Sequence, residues 1–242
     1  MITKRLHGFI LIYAAAASVF LICMAMDIVG LGRTMLKAIP VSMLIVLVFR
    51  DLRGFARICL VGALFGSVCG DILLDLPYAG VFIFGLAAFL VGHLFYTVLF
   101  FRYAKRPDGS DKVTIAGLVL FAGMMIWIFR AIPPALYGPV VLYIVVIVTM
   151  SIGALLVPAE NRRLFWGALL FIASDVILAV HKFLIVIPNG RLINISLYFI
   201  AQLTIITAAR TIWADTGEED ARNSIGRNKP RGSGTDGNRR TG

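Results

Sequence analysis

The sequence predicts an all-α fold, a polytopic membrane bundle of eight transmembrane helices, and three observations carry that expectation. Of its 242 residues 60% are hydrophobic and only 15% charged, against about 25% charged in an average soluble domain. The mean hydropathy is +0.91. Eight apolar runs follow one another, most of them close to the ~20 residues that a helix needs to cross the hydrocarbon core. An ordinary soluble enzyme or binding module is excluded, and the short breaks leave no room for an extramembrane domain between spans.

The first run, 8–26, follows Lys4 and Arg5 as a signal peptide would. Its length, the Asp27 behind it and the seven later spans favour an anchor that stays in place. The second, 35–49, is the shortest and carries Lys37 at its start. The third, 58–76, ends in Asp-Leu-Pro-Tyr-Ala-Gly at 75–80, and the fourth, 80–101, is followed by Arg-Pro-Asp-Gly-Ser-Asp at 106–111. The fifth, 113–129, stops before Ile-Pro-Pro at 132–134. The sixth, 139–157, and seventh, 164–183, lead to Pro-Asn-Gly at 188–190, and the eighth is 193–213. Proline and glycine clusters of this kind mark turns. Residues 1–213 therefore form the membrane domain.

Basic residues set the expected orientation, because cytoplasmic loops carry the excess of Lys and Arg. With the N-terminus inside, eighteen of the 23 basic residues fall on the inner side and five, Arg33, Lys37, Arg130, Lys182 and Arg191, on the outer side. A multi-pass protein of the cell membrane with both termini cytoplasmic is expected. The formal charge of +10 then reads as a collar for anionic membrane lipids, and nothing in the sequence suggests a nucleic-acid partner. Residues 214–242 are polar and basic, lack a core-forming apolar set, and are expected to be a disordered tail. Cys23, Cys59 and Cys69 lie in or beside spans, form no Cys-x-x-Cys and read as small core residues.

Ionisable groups inside spans are costly in hydrocarbon and usually face a bundle interior or a wet cavity. Here they are Asp71 and Asp75 in the third span, His93 in the fourth and Asp175 in the seventh, with Lys37 and His181 nearer span ends. Asp71 and Asp75 are four apart and share a helix face, which permits coupled titration. Asp75 also stands beside Pro77 at the boundary, where a carboxylate simply meets water. Gly70-Asp71-Ile72-Leu73-Leu74 parallels Ser174-Asp175-Val176-Ile177-Leu178 four spans later, each after a stretch rich in small residues. That spacing suits two four-helix halves and helix faces that approach closely.

Counted from these boundaries, Asp71, Asp175, Lys37, Tyr143 and Tyr198 fall in the outer half or near the midplane, Gln202 near the middle and His93 deeper. A cavity there suits an amphiphile with a polar head and one long tail. Taken singly, Tyr143, Tyr198 and Gln202 read as interhelical hydrogen-bonders, and Lys37 as a residue that snorkels to the interface.

Several motifs in order give the chain a resemblance. They are Gly70-Asp71 in the third span, Phe89-Leu90-Val91-Gly92-His93-Leu94-Phe95-Tyr96 in the fourth and Leu142-Tyr143 in the sixth. Gly167 to Asp175, with Ser174-Asp175 at its end, and Tyr198 to Gln202 complete the set. In order and spacing, from about residue 10 to 213, the chain resembles the lysoplasmalogenase family of YhhN-like membrane proteins. It departs from the family pattern in Lys37-Ala38-Ile39-Pro40, where the family usually has proline directly after its lysine, and in carrying Asp75.

The resemblance implies hydrolysis of the vinyl ether bond of a lysoplasmalogen, giving a fatty aldehyde and a glycerophospho-base, with no cofactor and a lysophospholipid as substrate. Such a bond is hydrolysed by protonating the alkene carbon distal to oxygen, and water captures the resulting cation. The step needs one carboxylic acid and one carboxylate, as glycosidases do for a related cation. Asp71 and Asp175 are the candidate catalytic pair. His93 and Tyr96 are candidates to position water or one Asp, Lys37, Tyr143, Tyr198 and Gln202 to contact phosphate or glycerol, and Ser174 to support Asp175. The three histidines, His7, His93 and His181, share no metal-ligand spacing, and no metal is expected. A proton-coupled transporter of small molecules or lipid would use the same carboxyls, and a lipid-organising protein would only pair them.

Overall fold

The structure, a computed structural model, describes residues 2–76, 78, 80–158 and 162–214. All of the expected tail except Ala214 lies outside the described residues. Eight helices, each long and apolar enough to cross a membrane, make up the fold, with no strand among the described residues. They are α1 (Ile2–Ala25), α2 (Leu31–Asp51), α3 (Gly54–Asp75), α4 (Val81–Arg102), α5 (Gly109–Ile128), α6 (Pro134–Leu156), α7 (Arg163–Phe183) and α8 (Gly190–Trp213), with a 3-10 turn at Phe129–Ala131 after α5.

Local chemistry explains the ends. The Asp108 side chain accepts from the Asp111 backbone N–H at 2.9 Å while the Asp111 side chain accepts from the Asp108 N–H at 3.2 Å. This capping box starts α5 inside the segment that the turn residues mark as a break, four residues before the apolar run. Pro134 opens α6, where its missing N–H costs nothing. Helix α2 begins four residues before its expected span, which places Pro40 at its middle. The helix nevertheless runs unbroken through it.

Helix α3 packs most extensively on α4, and α7 on α8. Adding α2 against α3 and α8, and α6 against α4 and α7, closes a ring of six helices. Helix α1 lies outside the ring on α2 and α8, and α5 lies on α6. The partners recur with a step of four helices: α1 on α2, α2 on α3 and α3 on α4 correspond to α5 on α6, α6 on α7 and α7 on α8.

Small residues set the two tightest contacts. A Cβ added at Gly66 of α3 would stand 2.8 Å from the Ala88 carbonyl oxygen, and one at Gly92 of α4 would stand 2.8 Å from that of Ala63. The backbones of α3 and α4 therefore touch. In α7, a Cβ at Gly167 would lie 2.7 Å from Ile205 Cγ1 of α8. Around these contacts Leu44, Leu60, Leu64, Phe100, Phe171 and Ile205 are fully buried, whereas Leu11, Val46, Phe65, Leu120 and Trp166 face outward as a lipid-facing surface requires.

Ion pairs gather at the two ends of the bundle. At the end bearing the α2–α3 turn, Asp51 accepts from Arg210 of α8 at 2.5 Å and from Arg50 at 2.7 Å. Asp111, fully buried, is paired there with Lys105 at 3.0 Å and Arg162 at 3.3 Å. At the opposite end, which bears the α3–α4 turn, the charges border a cavity.

Candidate active site

That cavity, of about 140 Å³, takes its polar wall from five helices: Lys37 of α2, Asp71 and Asp75 of α3, Tyr143 of α6, Ser174 and Asp175 of α7, and Arg191, Asn194 and Tyr198 of α8. Helical spacing explains the last three, because positions 191, 194 and 198 repeat along one face.

Asp71 is 1% exposed, and a carboxylate so enclosed needs partners. Lys37 Nζ lies 3.2 Å from its Oδ1, and the Tyr198 hydroxyl donates to Oδ2 at 2.7 Å. Lys37 is itself buried, so its ammonium turns inward rather than out to an interface. Gly70 supports the arrangement from behind. A Cβ there would collide with the Phe89 ring, and that ring packs edge-on against Tyr198 at 5.7 Å between centroids.

Asp175 is held differently. The Tyr143 hydroxyl donates to its Oδ2 at 2.7 Å, and among the described residues no cation pairs with it. Its neighbour Ser174 is locked to α8: Asn194 Nδ2 donates to the Ser174 carbonyl oxygen at 2.8 Å, while Ser174 Oγ donates to the Asn194 carbonyl oxygen at 3.0 Å. The α7–α8 register, and with it the depth of Asp175, is thereby set.

Asp75 does not simply meet water. Its side chain is 3% exposed, and it accepts from Arg33 Nη2 at 2.9 Å and from Thr34 Oγ1 at 2.7 Å. The rest of the lining is apolar and includes Phe82 and Leu86 of α4, Phe121 and Met125 of α5, Ile144 of α6 and Phe183 of α7.

Six of the nine sequence-derived site residues, Lys37, Asp71, Tyr143, Ser174, Asp175 and Tyr198, line this cavity. Tyr96 and Gln202 do not. The Tyr96 hydroxyl donates to Gln202 Oε1 at 2.7 Å and Gln202 Nε2 to Ser67 Oγ at 2.9 Å, a buried chain that ties α4, α8 and α3 together. His93 stands behind the wall, its ring centroid 5.3 Å from that of Tyr143 and 4.6 Å from that of Phe171. Its Nδ1 lies 2.7 Å from the Phe89 carbonyl oxygen, which assigns the proton to Nδ1 and leaves the buried Nε2 without a partner among the described residues.

Asn194, Arg191 and the Arg33–Thr34 pair escaped the sequence reading. Asn194 had a usable signal, a polar amide in a span one helical turn before Tyr198. Arg191 and Arg33 had none, because cations at span ends are ordinary. Among the described residues, no three His, Cys, Asp or Glu side chains stand close enough to share a metal ion.

Comparison with known proteins adds a lineage to this geometry. The chain is 35% identical over 127 residues to a lysoplasmalogenase of Mycobacterium bovis, a stretch covering 50% of this chain and 49% of that protein. It is 34% identical over 142 residues to lysoplasmalogenase TMEM86B of Sus scrofa, covering 58% and 59% respectively. The chain thus spans about half the length of the curated relatives it matches. No solved structure matches it. The sequence model of the YhhN family matches residues 32–209, from the first turn of α2 into the last turns of α8, and takes in every residue that lines the cavity. The chain belongs to the YhhN family.

Proposed function

We propose that this protein is a hydrolase of the cell membrane, with both termini cytoplasmic, that cleaves the vinyl ether bond of a lysoplasmalogen or a related lysolipid. The observation that carries the reading is the presence of two carboxyl groups on one cavity in unlike company: Asp71 is held by Lys37 and Tyr198, Asp175 by Tyr143 alone. The names of the relatives supply the reaction class.

Asp71, paired with an ammonium, serves as the ionised member. Asp175 carries the proton on Oδ1, the oxygen that Tyr143 leaves open. Asp175 delivers this proton to the alkene carbon distal to oxygen. The double-bond electrons form the new C–H bond, and positive charge develops on the carbon attached to oxygen. Asp71 stabilises that cation and removes a proton from the water that adds to it, giving a hemiacetal. The hemiacetal then collapses: its hydroxyl proton passes to Asp175, the bond to the glycerol oxygen breaks, and that oxygen takes the proton from Asp71. Fatty aldehyde and glycerophospho-base leave, and both carboxyls return to their starting states.

The alkenyl chain lies against the apolar residues of the cavity lining, where water is scarce. A transporter would draw on the same carboxyls, but all eight helices run unbroken past the cavity, without the unwound segments on which midplane substrate sites are usually built.

The deciding experiment is aldehyde release from a lysoplasmalogen by purified protein in detergent. Asp71→Asn and Asp175→Asn should each lower the rate by about 10²–10⁴-fold, the usual contribution of a positioned acid or base. Activity that survives either substitution in a protein eluting like wild type removes that residue from the chemistry.

A further inference from the structure

The charges at the mouth of the cavity do not cancel. Lys37 is matched by Asp71, and Arg33 by Asp75. Arg191 is the remainder. Its side chain lines the cavity yet is 58% exposed, and its Nη2 stands 3.8 Å from Asp75 Oδ1, beyond hydrogen-bond length. Asp75 already accepts from Arg33 and Thr34, so the Arg191 guanidinium keeps its fork of donors for another acceptor. Arg33, Arg191 and Asp75 together leave one net positive charge at the cavity mouth.

We propose that Arg191, steadied by the Arg33–Asp75–Thr34 cluster, is the seat for the phosphodiester of a lysolipid headgroup and sets how deep the lipid reaches. The assignment rests on the hydrolase reading for the identity of the lipid, not for the presence of the seat. Charge argues for a diester: one surplus positive charge neutralises its single negative charge, whereas a phosphomonoester, with about −1.5 to −2 at neutral pH, leaves an excess. Planar donors in a fork also suit phosphate oxygens, which accept in pairs.

Length gives a second argument. The Arg191 guanidinium stands 3.8 Å from the Asp75 carboxyl, and Asp71 lies four residues deeper on α3, about 6 Å along the axis at 1.5 Å per residue. In a lysoplasmalogen, seven bonds separate the phosphorus from the alkene carbon to be protonated, about 8 Å when extended at the reach of any fully stretched chain. A phosphate on Arg191 therefore brings the vinyl ether to the level of the two aspartates. The seat thus works as a ruler, rejecting chains whose reactive bond lies much nearer to or farther from phosphate.

The test compares wild type, Arg191→Ala and Arg191→Lys on a lysoplasmalogen and on the same alkenylglycerol without its phosphodiester. The Arg191→Ala protein should show a KM for the lysoplasmalogen raised 10-fold or more with kcat within about 3-fold, and unchanged constants for the alkenylglycerol. The Arg191→Lys protein should fall between. Equal losses on both substrates, or no change in KM, would overturn the assignment. Inorganic phosphate that competes as strongly as a glycerophosphodiester would overturn the lipid source in favour of the free ion. Binding is read separately with a saturated 1-alkyl lysophospholipid, which has no vinyl ether to cleave, by its shift of the thermal midpoint. Arg191→Ala should weaken that binding at least 10-fold. Arg191-dependent binding without aldehyde release sinks the hydrolase reading and leaves the seat standing. Aldehyde release indifferent to Arg191 does the reverse.

Discussion

Lys37 and Asp71 are joined twice: the ammonium nitrogen lies 3.2 Å from the carboxyl Oδ1 and donates at 3.3 Å to the Asp71 main-chain carbonyl oxygen. One side chain of α2 thereby grips both the side chain and the backbone of α3. Each side chain is nearly sealed from solvent, at 7% and 2% exposure, so neither ion has a substitute partner in water.

Lys37→Met leaves an uncompensated buried carboxylate and should cost about 3–5 kcal/mol, the usual penalty for breaking a buried pair from one side. Adding Asp71→Asn to the same chain removes the stranded charge and should restore most of that loss. Thermal midpoints of the two singles and the double in one detergent measure the coupling, and additive losses would contradict the pairing.

The hydrolytic chemistry fixes which bond breaks. Water adds to the alkenyl carbon, so in ¹⁸O-water the glycerophospho-base should keep its original oxygen and carry no label by mass spectrometry. Label in that product would mean attack at the glycerol carbon, and the two-carboxyl scheme would be wrong.

At the α3–α4 crossing, Gly66→Ala drives a methyl to within 2.8 Å of the Ala88 carbonyl oxygen. Main chain cannot rotate away as a side chain does, so a loss of about 1–3 kcal/mol is expected. Gly117→Ala, where nothing lies within 4 Å, should instead be neutral or stabilise α5 by up to about 1 kcal/mol. Parallel melting curves of the two variants check the contrast in sign.

Asp108 lies just outside the α5 span, where the Asp111 backbone N–H, the Ser110 hydroxyl and the Lys105 ammonium hold its carboxyl well below the usual carboxylate range. A carboxyl lowered by folding adds stability that is fully present above its unfolded value of about 3.9 and fades as pH falls toward its folded value. The difference in melting midpoint between wild type and Asp108→Ala should therefore be constant above pH about 5 and shrink below pH about 4. A difference that persists undiminished at pH about 2 would mean that the cap does not depend on the charged carboxyl.

Much of the architecture is legible in the sequence because bilayer thickness and turn chemistry act locally. Eight apolar runs between proline and glycine breaks give eight spans, and misplaced ends such as those of α2 and α5 reflect capping and helix continuation that hydropathy does not register. Asp71 and Asp175 stand out for the same kind of reason, since a carboxyl in hydrocarbon is expensive whatever surrounds it.

The sequence by itself determined the eight spans and the short roster of polar groups inside them, because each follows from the free energy of placing a residue type in lipid. Only the tertiary structure decided which of those groups meet. Lys37 reaches Asp71 across 34 positions and Tyr198 reaches it across 127, while Asp75 is closed off by Arg33 and Thr34 rather than left to water. Tyr96 and Gln202 turn toward each other and away from the cavity. Such pairings depend on how each helix is rotated about its axis and on how closely its neighbours pack, and glycine contacts such as Gly66 against Gly92 set both across the whole bundle.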